Sequence, residues 1–377
     1  MGLLEERLRH SSAAIHGGRF WEALGEDFSN VGQRRSIIPG DVLDAWFPPS
    51  PRVLEALALD PEWLCRTSPP SDAAGLVRAI SQGRGIDEDR IAVGAGSSSL
   101  IFSVLPRLVL PGETCLVLDP AYGEYPHLLE KLGCKVERHV LSRTNGFELG
   151  AFDLITAIKK VRPSLVVLVN PNSPTGSFLQ RDQVLQLIEG LPEGTRLWID
   201  ETYIDFCSSS ESVESLDLPS NVFVLKSMSK AYGLSGLRVA YIVSSSEDTH
   251  RARLLSPPWA ISLPAQLAAV AALGDSPYYE GMWAATNRLR LDLARAVRGL
   301  GIGEVFDGAA NFVLVLLRDG LSTAEAVVER CIGQGVYLRD AASMGQSLGD
   351  RAIRISVHSA VENDRIVKVL GEACRGG

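Results

Sequence analysis

The sequence predicts an α/β protein with a mainly parallel mixed sheet flanked by helices, followed by a smaller α+β unit. Three observations carry this expectation. Short apolar runs alternate with helical stretches from about residue 72 to about residue 265, and such alternation builds a parallel sheet covered on both faces. Several runs are apolar without a break, Ser164–Val169 and Val222–Leu225 among them, as strands buried on both sides require. After about residue 265 the pattern changes to long helices followed by separated strands. A chain of 377 residues also exceeds the size at which one core stops growing.

In chain order, residues 1–10 read as a short helix, and the stretch to about residue 50 reads as polar and irregular. Strands are expected at Arg90–Val93, Thr114–Leu118, Lys135–His139, Ser164–Val169, Arg196–Ile199, Val222–Leu225 and Arg238–Ile242. Helices are expected between most of them, at Asp72–Gln82, Ser98–Val109, Tyr125–Leu132, Asp153–Lys160 and Arg181–Leu191. Beyond them come helices at Pro264–Ala272 and Glu280–Gly299. Strands near Asn311–Leu317 and Arg354–Val357 then enclose a helix at Thr323–Gln334. The division that follows is a large domain over 51–265 and a small one over 266–377, with residues 1–50 joining the small domain.

Composition excludes several functions. The formal charge of −8 comes without a Lys/Arg run, so nothing offers a footprint for a phosphate backbone, and nucleic acid is not an expected partner. The six cysteines form no Cys-x-x-Cys pair; free thiols in a reducing compartment, and no metal site, are the expectation. The first ten residues are charged and lack the apolar core of a signal peptide. No apolar run approaches the roughly 20 residues of a membrane span. A soluble, cytoplasmic protein is expected.

Four motifs follow apolar strands. The most informative is Lys226-Ser-Met-Ser-Lys230-Ala-Tyr-Gly-Leu-Ser-Gly-Leu-Arg238. It places Lys230 just past a strand's C-terminal end, where α/β sheets bind ligands. A lysine amine there can condense with an aldehyde if its pKa is low enough. Ser227, Ser229 and Arg238 lie close by, and hydroxyls with a guanidinium suit a phosphate dianion. In Leu197-Trp-Ile-Asp200-Glu-Thr-Tyr203, a carboxylate ends an apolar strand, which is costly unless it is paired. Facing a pyridine nitrogen, it would hold that nitrogen protonated, as an electron-sink cofactor needs. Asn170-Pro-Asn172-Ser173-Pro-Thr175-Gly176 is a turn offering hydrogen bonds at the sheet edge. Gly94-Ala-Gly96-Ser97-Ser98-Ser99 opens a helix whose backbone N–H groups can bind phosphate.

Taken together and in this order, the motifs resemble the fold-type I pyridoxal 5'-phosphate (PLP) enzymes. The branch is that of the histidinol-phosphate aminotransferases and their relative, L-threonine-O-3-phosphate decarboxylase. The resemblance runs from Arg52-Val-Leu-Glu-Ala-Leu to Arg354-Ile-Ser-Val. It implies the PLP-dependent transferase fold, PLP as cofactor, a small-molecule amino-acid substrate and a homodimer. It also implies roles. Lys230 would form the Schiff base and move the Cα proton. Asp200 would pair with the pyridine nitrogen, and Tyr203 would bond the phenolic oxygen, with Asn172 and Ser173 beside it. Ser97, Ser98, Ser227, Ser229 and Arg238 would cradle the phosphate, and Tyr122 would stack on the ring. Arg354 would bind the substrate carboxylate. Arg339, in Gly-Val-Tyr-Leu-Arg339, sits where this family reads a distal anion.

The chain departs from the family's pattern in three places. Ser173 stands where an Asn usually precedes Pro-Thr-Gly. Arg66-Thr-Ser-Pro-Pro-Ser-Asp lacks the tyrosine that usually reaches a neighbouring subunit. Asp44-Ala-Trp46-Phe47-Pro-Pro-Ser-Pro replaces the usual Asn-Glu-Asn-Pro segment. The expected reaction is transamination of an amino acid or amine with a distal phosphate, phosphonate or carboxylate. Decarboxylation is the alternative, because Ile15-His16-Gly17-Gly18, Pro257-Pro258-Trp259 and Arg354-Ile-Ser-Val-His358-Ser-Ala-Val-Glu-Asn363 resemble segments of the decarboxylase. His16 would then approach the substrate's distal phosphate. A catalytically idle, PLP-binding relative is the third reading.

Overall fold

The computed structural model of the protein describes residues 17–376; the helix expected at 1–10 lies outside them. Its strands are β1 (Ile38–Gly40), β2 (Ile91–Gly94), β3 (Thr114–Asp119), β4 (Lys135–Val140), β5 (Leu165–Val169), β6 (Arg196–Asp200), β7 (Val222–Ser227), β8 (Ala240–Val243), β9 (Gly303–Phe306), β10 (Phe312–Leu317), β11 (Val336–Asp340) and β12 (Ala352–Ser356).

The large sheet has the order β2-β8-β7-β6-β5-β3-β4. β3 to β7 run parallel to one another, whereas β8 is antiparallel to both of its neighbours. The connections explain the difference. β7 and β8 are joined by a short turn-rich segment, which can only reverse the chain, whereas the parallel pairs are linked by longer crossovers. Helices Ser97–Val104, Glu124–Lys131, Ala151–Val161 and Arg181–Glu189 follow the expected spans closely. β5 and β7 are buried at every position. β4 forms the edge and carries Lys135, Glu137 and Arg138, charges that discourage pairing with another sheet. Because the strands run parallel, Gly94, Asp119, Val169, Asp200 and Ser227 all end at one edge of the sheet. All four sequence motifs therefore meet there.

The second sheet has the order β1-β11-β12-β10-β9, with β1 parallel to β11 and the rest antiparallel. Several of its elements depart from the sequence expectation. The N-terminal stretch, read as irregular, contains helix Phe20–Leu24 and strand β1. Pro39 hid that strand, since proline lacks the ladder N–H and is tolerated at an edge, which β1 forms. β9 and β11, of four and five residues, are too short to show a period. Helices Pro51–Ala58, Ser246–Leu254 and Ala360–Arg375 also lay outside the expectation. The last of these had a legible start, because Ser359 and Glu362 form a reciprocal capping box.

Two tryptophans tie the layers to the motif-bearing edge. On the long helix Ser276–Gly299, Trp283 donates through Nε1 to the Ala231 carbonyl at 2.7 Å. Trp46 donates to Thr286 Oγ1 on the same helix at 2.9 Å. The helix thus braces both the turn carrying Lys230 and the segment carrying Asp44. No helix among the described residues is long and apolar enough to cross a membrane.

Candidate active site

At the carboxyl edge of β5, β6 and β7 lies a cleft of about 250 Å³. Ser97, Ser98, Tyr122, Asp200, Tyr203, Ser227, Ser229, Lys230, Arg238 and Arg354 all line it.

Lys230 reaches the cleft because β7 ends in a cap. Ser227 Oγ accepts from the Ser229 N–H at 3.3 Å and starts the helical turn Met228–Ala231. Lys230 Nζ then meets Asp44 Oδ1 at 3.0 Å. Burial lowers the Lys230 pKa, helped by Arg354 and Arg238, while Asp44 opposes the shift. Lys226 has a different environment. It is buried, 3.4 Å from Glu201, 3.5 Å from Glu214 and 3.9 Å from Asp205. Strand alternation places Lys226 and Ser227 on opposite faces of β7. Lys230 is thus the lysine that lines the cleft.

Asp200, at the end of β6, is 4% exposed. Its Oδ2 accepts from the Tyr125 hydroxyl at 2.7 Å, and its Oδ1 from the Thr202 N–H at 3.0 Å and the Thr202 hydroxyl at 2.5 Å. Tyr125 is held in turn by Trp198 Nε1 at 2.9 Å. Burial pushes the Asp200 carboxyl above its ordinary range, against these hydrogen bonds. A carboxylate so fixed and so desolvated suits a cation at the cleft, and a protonated pyridine nitrogen is one.

The phosphate end is built around Gly96. Its φ of +86° is a conformation that glycine adopts freely, and a Cβ added there would lie 2.3 Å from Arg238 Nη2. Only the missing side chain lets the guanidinium settle against the first turn of helix Ser97–Val104. Arg238 also donates to Ser229 Oγ at 3.3 Å and to the Ser235 carbonyl at 3.0 Å. Hydroxyls of Ser97, Ser98, Ser227 and Ser229, a guanidinium and a helix N-terminus converge on one volume, the donor set of a phosphate dianion.

Arg354, on β12, closes the other end. Its Nη1 donates to Ser173 Oγ and its Nη2 to the Asp41 carbonyl, both at 3.2 Å. Its Nε is buried without a partner among the described residues. Burial draws its pKa down to about 10. An incoming carboxylate would satisfy the orphaned N–H. Arg339 is not part of the cleft lining, but it pairs directly across from Arg354 in the β11–β12 ladder and is 8% exposed.

Two other expected residues stand apart from the lining. Ser173 lies behind it as the acceptor of Arg354. Asn172 turns its amide to the Pro120 carbonyl at 2.9 Å and Thr175 Oγ1 at 3.0 Å, bracing the loop. His16 lies outside the described residues. In the closing stretch, Asn363 exchanges hydrogen bonds with the His358 backbone at 3.0 and 2.8 Å. The sequence reading missed Asp41, Thr202 and Tyr125. Asp41 lines the cleft and accepts from the Gly18 and Arg19 N–H groups at 2.6 and 2.8 Å. A carboxylate before an apolar pair gave no local signal, although Tyr125 sat within the motif that supplied Tyr122.

The family model "Aminotransferase class I and II" matches residues 43–370. Histidinol-phosphate aminotransferase 2 of Archaeoglobus fulgidus is 32% identical over 326 residues, covering 86% of this chain and 90% of that protein. Among solved structures, the histidinol-phosphate aminotransferase of Sinorhizobium meliloti in complex with PLP aligns with a TM-score of 0.82 at 24% identity, covering 97% and 99% of the two chains. L-threonine-O-3-phosphate decarboxylase from Porphyromonas gingivalis aligns with a TM-score of 0.76 at 23% identity, covering 88% and 98%. The chain belongs to the class I and II aminotransferases, enzymes of the fold-type I PLP class. Its cofactor is PLP, and the Gly96 cradle and the buried Asp200 carboxylate fit that group at its two ends.

Proposed function

We propose that this PLP-dependent aminotransferase takes its amino group from an amino acid or amine whose side chain ends in a phosphate, phosphonate or carboxylate. Lys230 would attach the cofactor and, as a free amine, would hold and move the Cα proton. Asp200 holds the pyridine nitrogen protonated, and Tyr203 bonds the phenolic oxygen, with Ser173 and Asn172 supporting that side. Ser97, Ser98, Ser227, Ser229 and Arg238 hold the phosphate, Tyr122 covers the ring face, and Arg354 takes the substrate's α-carboxylate. The bound cofactor supplies an electron sink for the pair left at Cα. The protein chooses which bond breaks by orienting it.

One observation carries the distal anion: Arg339 lies opposite Arg354 on paired strands. Two buried guanidinia on facing positions repel each other, and Arg339 contributes to lowering the Arg354 pKa. A substrate with an anion at each end would add to the counter-charge that Asp41 and Asp340 already give Arg339. The name of the Archaeoglobus fulgidus relative, a histidinol-phosphate aminotransferase, supports a phosphate in the distal position.

The test is incubation with amino acids bearing a distal phosphate, a distal carboxylate or a neutral side chain, measuring 2-oxo acid and CO2 separately. Formation of 2-oxo acid from the anionic substrates is expected. Release of CO2 would transfer the proposal to the decarboxylase reading, and neither product from any substrate would sink both. Arg339→Lys is expected to raise KM for the anionic substrates by roughly 10- to 150-fold, the equivalent of one charge-assisted pair. The neutral substrate should change much less. Equal losses for both classes would make Arg339 a brace of the small sheet and would remove it from recognition.

A further inference from the structure

The segment Asp44-Ala-Trp46-Phe47 brings to the cleft a carboxylate that the mechanism above does not use. Asp44 Oδ1 lies 3.0 Å from Lys230 Nζ, across 186 residues of sequence. The contact is built rather than incidental. Trp46 fixes the segment by its bond to Thr286, and Asn311 Nδ2 donates to the Leu43 carbonyl at 3.0 Å. Phe47 is buried in the core. The Asp44 side chain is 47% exposed while that of Lys230 is 22% exposed, so Asp44 is the more exposed partner of the pair.

We propose that Asp44 is the positioning residue for the free Lys230 amine, pairing with it as an ammonium and setting the pH at which it becomes nucleophilic. This rests on the reading of Lys230 as the attachment residue. Condensation with the PLP aldehyde needs the nitrogen lone pair. The ammonium must therefore first give up one proton, to solvent directly or by way of the paired carboxylate, the more exposed of the two side chains. The charged groups facing Lys230 are Asp44, Arg354 and Arg238; those facing Asp44 are Lys230 and Arg238, with the Ser235 hydroxyl and the His358 ring nearby. Burial and the two guanidinia all favour the neutral amine, and Asp44 alone among these favours the ammonium. Removing its charge therefore lowers the Lys230 pKa.

The experiment uses the full chain stripped of PLP. The rate of PLP capture, followed by absorbance, is measured against pH for wild type, Asp44→Asn, Asp44→Glu and Lys230→Ala. The ionisations of PLP itself are common to all four. Asp44→Asn is expected to move the midpoint of capture down by about one pH unit, the low end for an opposite charge near an ionisable group that is partly screened by solvent. Asp44→Glu, which keeps the charge, should stay near wild type. An unchanged midpoint in Asp44→Asn would overturn the proposal. So would loss of capture at every pH in that variant, since the residue would then act only as a brace of its segment. Lys230→Ala keeps the two readings apart. If it still forms a borohydride-reducible adduct, the attachment reading fails. If it does not and the Asp44→Asn midpoint is unmoved, only the Asp44 inference fails.

Discussion

Asp200→Asn is expected to retain PLP and to lose turnover by about 10²- to 10³-fold or more, the range for removing one preorganised electrostatic contact in a buried site. Asparagine keeps the shape: its oxygen can still accept from the Thr202 N–H and hydroxyl while its amide donates to the Tyr125 oxygen, so the fold should stand. On the proposed assignment, loss of the negative charge would leave the pyridine nitrogen unprotonated, and the ring would draw electrons from Cα poorly. On the proposed assignment, cofactor retention rests on Lys230 and the Gly96–Arg238 cradle, neither of which the substitution touches. Single-turnover kinetics beside the borohydride-reducible absorbance separate the two effects. Turnover within about threefold of wild type would take Asp200 out of this role.

The second large effect is on stability. Lys226 and Arg84 are surrounded by Glu201, Asp205 and Glu214, with Arg84 at 3.1 Å from Asp205 and 3.6 Å from Glu214. All three carboxylates and Lys226 are buried. Lys226→Met leaves three buried carboxylates facing one cation, and breaking a buried ionic network from one side costs about 3–5 kcal/mol. Urea unfolding measures it. The three acids raise the Lys226 pKa, against burial. Its contribution is therefore present below the unfolded lysine pKa and is lost only as pH rises through the higher folded value. In the variant Glu201, whose carboxyl burial already pushes upward, can take up a proton as pH falls, so the deficit should be smaller at pH 5 than at pH 8. A variant as stable as wild type at pH 8 would contradict the network's role. Covalent attachment of PLP to the folded fraction should be unchanged, because Lys226 faces away from the cleft.

Most of the large sheet was legible because its signals are local. Unbroken apolar runs mark strands covered on both faces, as Leu165–Val169 is. Lys230 and Ser97 stand out because the carboxyl ends of strands and the N-termini of the helices that follow bind ligands, and Asp200 because a carboxylate ending an apolar strand needs a partner. Parallel strands then bring such ends to one edge without further information. The short elements β1, β9 and β11 gave weak signals, since three to five residues cannot establish a period and Pro39 argued against a strand.

The tertiary structure alone decided which residues meet. Lys226 and Lys230 share one motif, and the structure sets their surroundings apart, burying Lys226 among Glu201, Asp205 and Glu214 while Lys230 lines the cleft. Arg339 and Arg354 are fifteen residues apart in sequence, and the antiparallel pairing of β11 with β12 sets them face to face. Asp44 meets Lys230, and Ser173 meets Arg354, across more than 180 residues. Composition, caps and periodicity are properties of neighbouring residues and so can be read along the chain. Contacts at that distance depend on the order in which strands assemble and on how the second sheet packs against the first, and no local pattern records either.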